Sequence, residues 1–123
     1  MGYRQQTGWR RQIEWLRSEE NLKTIMIALT AKEIPPHLKT IPKWSKRAKT
    51  IHRTFKLAGF PESLAFVNRI AKRAIKADHH PEIEILFDQV TLKFTTHDAG
   101  GLTEKDFALA RQCDEDFTKL TGA

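Results

Sequence analysis

Three of the five histidines in this chain lie in two short motifs that are rich in proton-carrying groups. The adjacent pair His79 and His80 precedes Pro81, and His97 is followed by Asp98. Imidazole titrates near neutral pH, so several histidines around one cleft are suited to general acid–base catalysis or to metal binding. The sequence therefore predicts a site of proton transfer or metal binding where the two motifs come together.

The segment between the two motifs is predicted to be a β-hairpin that brings them together. Apolar side chains recur at every second position on either side of its centre: Ile83, Ile85, Phe87, Val90, Leu92 and Phe94. This period is typical of two half-buried strands, and the four residues from Phe87 to Val90 suit the turn between them. A hairpin returns the chain to its starting point, so His79 and His80 should lie beside His97.

Two other interpretations of these histidines compete with an acid–base site. A zinc site needs three or four ligands, usually as spaced histidine pairs, whereas the adjacent His79 and His80 should point to different sides of a regular element. We therefore expect no metal site. In a purely structural interpretation, His79 caps the preceding helix, His80 packs, and His97 forms a hydrogen bond in a turn. The convergence of three histidines beside Asp98 favours a functional site.

Asp106 has two candidate roles, and the two are compatible. Thr103 and Asp106 have the hydroxyl-to-acid spacing of a capping box at the start of the last helix. That helix begins just after the loop of His97, so the same carboxylate is also placed to orient an imidazole.

The other periodicities indicate the elements that carry these motifs. A capping box at Thr30 to Glu33, followed by Pro35 and Pro36, predicts a short or broken first helix that ends near Lys39. Residues 44–49 and 50–57 are rich in β-formers and predict two strands. The order helix, two strands, helix, two strands, helix predicts an α+β fold: a four-stranded antiparallel sheet with three α-helices packed on one face.

The clearest helix is predicted over residues 61–77. Its apolar side chains form one stripe at helical spacing: Leu64, Val67, Ile70, Ala71 and Ala74. Its basic side chains are expected to face outward: Arg69, Lys72, Arg73 and Lys76. The last helix is expected to continue from Thr103 through Phe107, Ala110 and Phe117.

The bulk composition indicates one folded domain that does not span a membrane. The chain has 123 residues, of which 40% are hydrophobic and 29% charged. It has no apolar run near the roughly 18 residues that a membrane span requires. Its one cysteine, Cys113, excludes an internal disulfide framework and lies on the apolar spacing of the last helix, where it is expected to be a small core residue. These features favour a cytoplasmic location.

Residues 1–28 are expected to be an extension preceding a domain of residues 29–123. Trp9, Ile13 and Leu16 have helical spacing and predict a short amphipathic helix. Such a helix would cap a subunit, bind a partner or act in targeting. Alternatively, Met26 is the natural start, and the preceding residues come from an upstream start codon. The sequence leaves these alternatives open.

The net charge of +6 suggests acidic partners only weakly. The densest basic segment runs from Lys39 to Lys56 and contains one tryptophan, Trp44. Nucleic-acid binding usually requires basic residues with several interleaved aromatic side chains. We therefore interpret this segment as a solvated face and do not expect nucleic acid as a partner.

The two histidine motifs resemble those of the pterin-4a-carbinolamine dehydratase family. The resemblance covers about residues 29–120. It is carried by Asp78-His79-His80-Pro81, Phe87-Asp88-Gln89-Val90, Thr95-Thr96-His97-Asp98-Ala99-Gly100-Gly101-Leu102-Thr103 and Asp106, and upstream by Leu29-Thr30, Ile41-Pro42-Lys43-Trp44, Ile51-His52-Arg53-Thr54-Phe55, Phe60 and Phe66-Val67-Asn68-Arg69-Ile70-Ala71.

The resemblance implies a four-stranded antiparallel sheet with three helices, assembled as a homodimer or homotetramer. It implies dehydration of 4a-hydroxytetrahydrobiopterin, or a related pterin, to the quinonoid dihydropterin. This reaction recycles the pterin of aromatic amino acid hydroxylases and uses neither a metal nor an organic cofactor. An acid must protonate the departing hydroxyl and a base must deprotonate a ring nitrogen, and imidazoles are suited to both tasks.

The resemblance also implies a role for each motif residue. His79 and His97 would be the acid/base groups for a hydroxyl leaving from either ring face, and His80 would contact the pterin and assist proton transfer. Asp106 would set the orientation and charge of a histidine. The implied substrate-binding positions, which shape the cleft, are Asp78, Pro81, Thr96 and Asp98.

Three positions depart from the family's usual pattern. Ile75 stands where an acid is common, Ile83 where a Trp is common, and Phe87 where a Tyr is common. None of these changes removes a proposed catalytic histidine, so activity is still expected. The alternative is a non-catalytic binding module of the same fold, such as a transcriptional coactivator or a protein assembly factor. Retention of all three histidines favours the enzyme.

Overall fold

The computed structural model describes residues 27–122. Its elements are α1 (Ile34–Leu38), β1 (Ser45–Arg47), β2 (Thr50–Lys56), α2 (Phe60–Ala77), β3 (Glu82–Leu86), β4 (Gln89–Phe94) and α3 (Glu104–Thr121), with a 3₁₀ turn at His97–Ala99. The strands form one antiparallel sheet in the order β1-β2-β4-β3. The predicted four-stranded antiparallel sheet with three α-helices is confirmed. The helix predicted in the extension lies outside the described residues.

The hydrophobic core lies between one face of the sheet and the helices. Alternate positions of the two central strands, β2 and β4, are buried there, as are apolar positions of α2 and α3. The buried side chains include Ile51, Phe55, Val90, Leu92, Phe94, Phe66, Ile70, Phe107 and Ala110. Burial of each Val, Leu, Ile or Phe side chain among them contributes about 1.5–3 kcal/mol to folding. Side chains on the opposite sheet face, such as Thr54 and Lys93, are exposed.

The first helix is short because its sequence limits it at both ends. The backbone N–H of Thr30 donates to Glu33 Oε1 at 2.8 Å, and the N–H of Glu33 donates to Thr30 Oγ1 at 3.3 Å, which confirms the predicted capping box. Pro35 and Pro36 are tolerated because they lie in the first turn of the helix. The helix ends at Leu38, close to the predicted position.

The buried face of α2 agrees with the predicted stripe only in part. Ile70 and Ala74 are buried and Val67 packs against the core, as predicted, but Leu64 is 41% exposed, and the helix also buries Ser63 and Phe66. The face that meets the sheet is centred on Phe66, which lies on the α2 side of the core against Phe55. The prediction that Arg73 faces outward is also wrong, because its guanidinium forms a paired hydrogen bond with the carboxylate of Asp116 on α3.

The hairpin between the histidine motifs is present, but β3 is more exposed than predicted. The Leu86–Gln89 pair closes the hairpin around the turn residues Phe87 and Asp88. Strand β3 lies at the edge of the sheet, with β4 as its one neighbour, so on the core face Ile83 is exposed and Ile85 is half-buried. Leu86 is exposed on the opposite face, where it pairs with Gln89. A half-buried strand is therefore correct for β4 and wrong for most of β3.

In the part of the chain that is described, no helix is long and apolar enough to cross a membrane.

Candidate active site

Two chain segments bring the histidine motifs to one end of the sheet. Helix α2 ends at Ala77, and Asp78 follows in the left-handed conformation with a φ of 51°. This turn directs the chain away from the helix axis and into β3. The antiparallel register of β3 and β4 places Glu82 opposite Lys93, so the two open ends of the hairpin lie side by side. The 3₁₀ turn at His97–Ala99 then places His97 beside the end of α2.

A cleft of about 230 Å³ lies where the two segments meet. Its lining residues are Asp78, His79, His80, Thr95, Thr96, His97 and Asp98. The predicted convergence of three histidines at the open end of the hairpin is confirmed. Of the other predicted site residues, Asp78, Thr96 and Asp98 line the cleft. Pro81 and Asp106 do not line it, although the carboxylate of Asp106 contacts the imidazole of His79, which does.

Asp106 is the anchor of this site. Its side chain is 0% exposed, and its two oxygens have three partners. Oδ1 lies 2.5 Å from Nε2 of His79. Oδ2 accepts a hydrogen bond from the hydroxyl of Thr96 at 2.8 Å and another from the backbone N–H of Thr103 at 2.9 Å. The carboxylate therefore fills both predicted positions, at the start of α3 and against an imidazole.

His79 is held firmly, whereas the other two histidines are exposed. The side chain of His79 is 11% exposed and stacks nearly parallel to the ring of Phe94, with 6.2 Å between the ring centroids. His80 and His97 are exposed, and neither side chain forms a hydrogen bond within residues 27–122. In the turn, only the backbone of His97 forms a hydrogen bond, from the N–H of Gly100 to its carbonyl at 3.0 Å, so its imidazole is not used there. Nor does the ring of His79 cap α2, because only its backbone N–H bonds to Ala74.

Two contributors to the site were not identified among the predicted site residues. Thr95 lines the cleft and donates its hydroxyl to the carbonyl of Lys49 at 2.5 Å, which ties the loop to the β1–β2 turn. Thr103 is buried and shares a 2.9 Å hydroxyl–hydroxyl contact with Thr96. The spacing of Thr103 to Asp106 predicted the helix start, but no periodicity in the sequence pairs Thr103 with Thr96.

A larger groove, of about 450 Å³, lies on the other side of the same loop. Its lining includes Leu29, Ile34 and Leu102, with Lys46 and Lys49 as its charged residues. It has neither histidine nor carboxylate among its lining residues. The groups suited to proton transfer near neutral pH therefore lie in the smaller cleft.

Other candidate chemistry is absent from the described region. Among residues 27–122, no group of three or more His, Cys, Asp or Glu side chains is arranged to hold a metal ion. Cys113 is buried, and burial raises the pKa of its thiol, so it remains protonated and serves as a core residue, as predicted.

The positions that depart from the family pattern lie outside the cleft. Ile75 is 70% exposed on α2, Phe87 is 66% exposed in the hairpin turn, and Ile83 is exposed on β3. None of the three is a lining residue.

Comparisons with known proteins identify a family and relatives of this chain. A family model described as Pterin 4 alpha carbinolamine dehydratase matches residues 27–115. A protein of Picosynechococcus sp., provisionally named a pterin-4-alpha-carbinolamine dehydratase, is 51% identical over 87 residues, which are 71% of this chain and 95% of that protein. A protein of Chloroflexus aurantiacus with the same provisional name is 52% identical over 90 residues, or 73% of this chain and 97% of that protein.

Solved structures show the same fold. A transcriptional coactivator/pterin dehydratase from Brucella melitensis has a TM-score of 0.70 at 32% identity, covering 72% of this chain and 97% of its own. A pterin dehydratase-like protein identified as a RuBisCO assembly factor in the α-carboxysome has a TM-score of 0.51 at 17% identity, covering 60% and 86%. The second likeness concerns the fold alone. The family match, which covers more than half of the sequence, and these relatives show that the chain belongs to the pterin-4a-carbinolamine dehydratase family.

Proposed function

We propose that the protein catalyses the dehydration of a 4a-hydroxytetrahydropterin to the quinonoid dihydropterin and water. The observation that carries this proposal is the convergence of His79, His80 and His97 on one cleft, with one of them backed by a buried carboxylate. In the reaction the C–O bond at the 4a carbon breaks and the oxygen leaves as water after gaining a proton. The neighbouring ring nitrogen loses its proton, and a C=N double bond forms. Both steps require proton transfer alone, for which imidazoles at neutral pH are suited.

In this proposal the histidines act from two sides of the cleft. His79 follows α2 and His97 follows β4, so a flat ring between them would face one imidazole on each side. Each would serve as the acid or base for a hydroxyl leaving from its own face. His80 would contact the pterin and assist proton transfer. Asp78, Pro81, Thr96 and Asp98 would shape the cleft, and Asp106 would hold His79.

The decisive experiment compares the catalysed rate with the spontaneous rate of carbinolamine dehydration. General acid–base catalysis typically contributes about 10²- to 10⁴-fold, so His79→Ala and His97→Ala should each lose most of the acceleration. His52→Ala is the matched control, because His52 lies in β2 and outside the cleft. A folded wild-type protein that does not exceed the spontaneous rate would refute the proposal.

We also propose the pathway that the product enters, the location of the protein and its oligomeric state. The product would feed the recycling of tetrahydrobiopterin, or a related pterin, for aromatic amino acid hydroxylases in the cytoplasm. A homodimer or homotetramer is also proposed, because α2 and β3 leave apolar side chains uncovered: Phe60, Leu64, Ile75, Ile83 and Leu86.

The alternative is a binding module that retains the fold without turnover. The names of the two structural neighbours, one a coactivator/dehydratase and the other an assembly factor, motivate this alternative. Direct nucleic-acid binding has less support, since Trp44 is buried with its indole N–H on Asp114, and Arg53 is paired with the same carboxylate. Inactive wild-type protein with an intact fold would favour the binding module.

A further inference from the structure

We propose that His79 exchanges protons through Nδ1, and that Thr96 is the positioning residue that fixes this choice by orienting Asp106. The catalytic consequence rests on the proposed dehydratase function. The placement of the proton on His79 rests on the hydrogen-bond geometry around an ionised Asp106 and is testable separately.

The contact between Asp106 and His79 determines which ring nitrogen carries a proton. An ionised carboxylate only accepts hydrogen bonds, so the hydrogen in the 2.5 Å contact with Asp106 Oδ1 belongs to Nε2. The neutral ring then has its lone pair on Nδ1. Stacking on Phe94 fixes the plane of the ring, and with it the direction of Nδ1.

The free nitrogen is accessible from the cleft. Nδ1 of His79 has no hydrogen-bond partner among the described residues. In the same part of the chain, no buried side-chain nitrogen or oxygen lacks a partner. Nδ1 is therefore not sealed inside the protein, and His79 is one of the residues that line the cleft.

Two threonines fix the other oxygen of the carboxylate. The hydroxyl of Thr96 donates to Asp106 Oδ2, and it has only one hydrogen to give. The 2.9 Å contact between the two hydroxyls must then be donated by Thr103. The resulting chain runs from Thr103 to Thr96 to Asp106, and the backbone N–H of Thr103 reaches the same oxygen. This arrangement leaves Oδ1 for His79. It also means that the hydrogen of the Thr96 hydroxyl is donated within the protein and is not available to a ligand.

The proton balance of the reaction follows from this arrangement. As a base, Nδ1 takes the proton of the pterin ring nitrogen, and the ring becomes an imidazolium paired with the Asp106 carboxylate. As an acid, the imidazolium returns a proton from Nδ1 to the departing hydroxyl, which leaves as water. Throughout, the hydrogen on Nε2 of His79 stays bonded to the ring and hydrogen-bonded to Asp106. The carboxylate therefore stabilises the cation without receiving a proton.

The test is the two-bond ¹H–¹⁵N correlation spectrum of the imidazoles. The signals of His79 are assigned as those that disappear in His79→Gln. Wild-type protein should show neutral His79 protonated at Nε2. Thr96→Val should mix the two ring forms and lower kcat by up to roughly 100-fold with little change in KM, because a misdirected catalytic group costs about that much. Thr96→Ser keeps the hydroxyl and should restore both readouts.

The matched control is Thr91→Val, which removes a threonine hydroxyl from β4, the strand that precedes Thr96. That hydroxyl contacts Thr54 at 2.8 Å and lies outside the cleft, so neither readout should change. An active wild-type protein with the proton of neutral His79 on Nδ1 would overturn the inference and leave the proposed function standing. Inactive wild-type protein with Nε2–H intact would overturn the function and leave the assigned proton position.

Discussion

A carboxylate without solvent contact is costly unless both of its oxygens accept hydrogen bonds, and Asp106 meets this condition. Burial of an ion is tolerated when hydrogen bonds replace its hydration. Three donors surround this side chain, from His79, Thr96 and Thr103. The same three contacts begin a helix and hold an imidazole, so stability and the proposed chemistry depend on one residue.

Replacing this carboxylate by its amide should damage both properties. In Asp106→Asn, one oxygen becomes an NH₂ group that faces a former donor and leaves a buried partner unsatisfied. We expect a loss of about 1–3 kcal/mol in the free energy of unfolding and at least a roughly 100-fold fall in the catalysed rate. Urea denaturation and the dehydration assay would measure the two effects. Glu104→Gln, an exposed change in the same helical turn, is the control, and equal losses in both variants would contradict the argument.

Cys113 gives a prediction about pH that is independent of the site. Burial raises the pKa of its thiol above the ordinary value of 9.0, so the folded state retains a proton that the unfolded state releases. Its contribution to stability is therefore fully present below about pH 9 and is lost as the pH rises further. The stability advantage of wild type over Cys113→Ala should shrink between pH 8 and pH 10 in urea titrations. A constant difference would argue against it.

At the scale of elements, α2 and α3 are joined by a cluster of charges beside their apolar contact. Asp116 on α3 is buried and accepts hydrogen bonds from Nε of Arg73 at 2.5 Å and from Nη2 of Arg73 at 2.9 Å. The guanidinium of Arg69 forms a longer ion pair with it, at 3.8 Å. The hydrogen bond to Asp116 raises the pKa of Arg73, so the guanidinium stays charged. This bidentate pair adds a polar link between the two helices that lead to His79 and Asp106.

Breaking the pair from the arginine side should destabilise the fold. Loss of one partner from a buried pair costs about 3–5 kcal/mol. Arg73 is 30% exposed and Arg69 remains nearby, so we expect a smaller loss, of about 1–3 kcal/mol, in Arg73→Met. Lys72→Met, at an exposed position of the same helix, should change stability by less than about 0.5 kcal/mol. The prediction fails if thermal and urea unfolding place both variants together, or if Arg73→Met/Asp116→Asn is no better tolerated than the two single changes combined.

At the scale of the whole molecule, several large apolar side chains stay uncovered outside the core. Helix α2 exposes Phe60, Leu64 and Ile75, and the edge strand β3 exposes Ile83 and Leu86. A free sheet edge and exposed apolar side chains are both features that association of subunits would cover.

The proposed oligomer should therefore depend on these surfaces. We expect light scattering after size exclusion to give a dimer or tetramer of the 14.2 kDa chain. Ile75→Lys or Leu86→Lys should shift the mass toward the monomer without unfolding the domain, because both side chains are already exposed. Lys76→Glu, next to Ile75 on the same helix, tests whether charge alone produces the effect. A wild-type monomer at all concentrations would refute the proposed assembly.

Local periodicity was sufficient to predict the elements and the meeting of the histidines, but not the burial of each face. Alternation in β4 correctly predicted which side chains enter the core, because a central strand has neighbours on both sides. The same pattern in β3 did not predict burial, since exposure there depends on where the sheet ends. The stripe on α2 was correct at Ile70 and Ala74 but wrong at Leu64, because the helix has two apolar lines, and the sequence does not indicate which of them meets the sheet.

The sequence by itself determined that His79, His80 and His97 would converge, because a hairpin of fixed register returns its ends to one place. It also determined the start of α3, because a capping box involves residues only three apart. Only the tertiary structure decided that Asp106 pairs with His79, that Thr96 holds its other oxygen, and that Asp116 binds Arg73. These contacts join residues far apart in the chain or turned toward each other by the loop. Their distances depend on how α2, α3 and the sheet pack together, a property that no local pattern encodes.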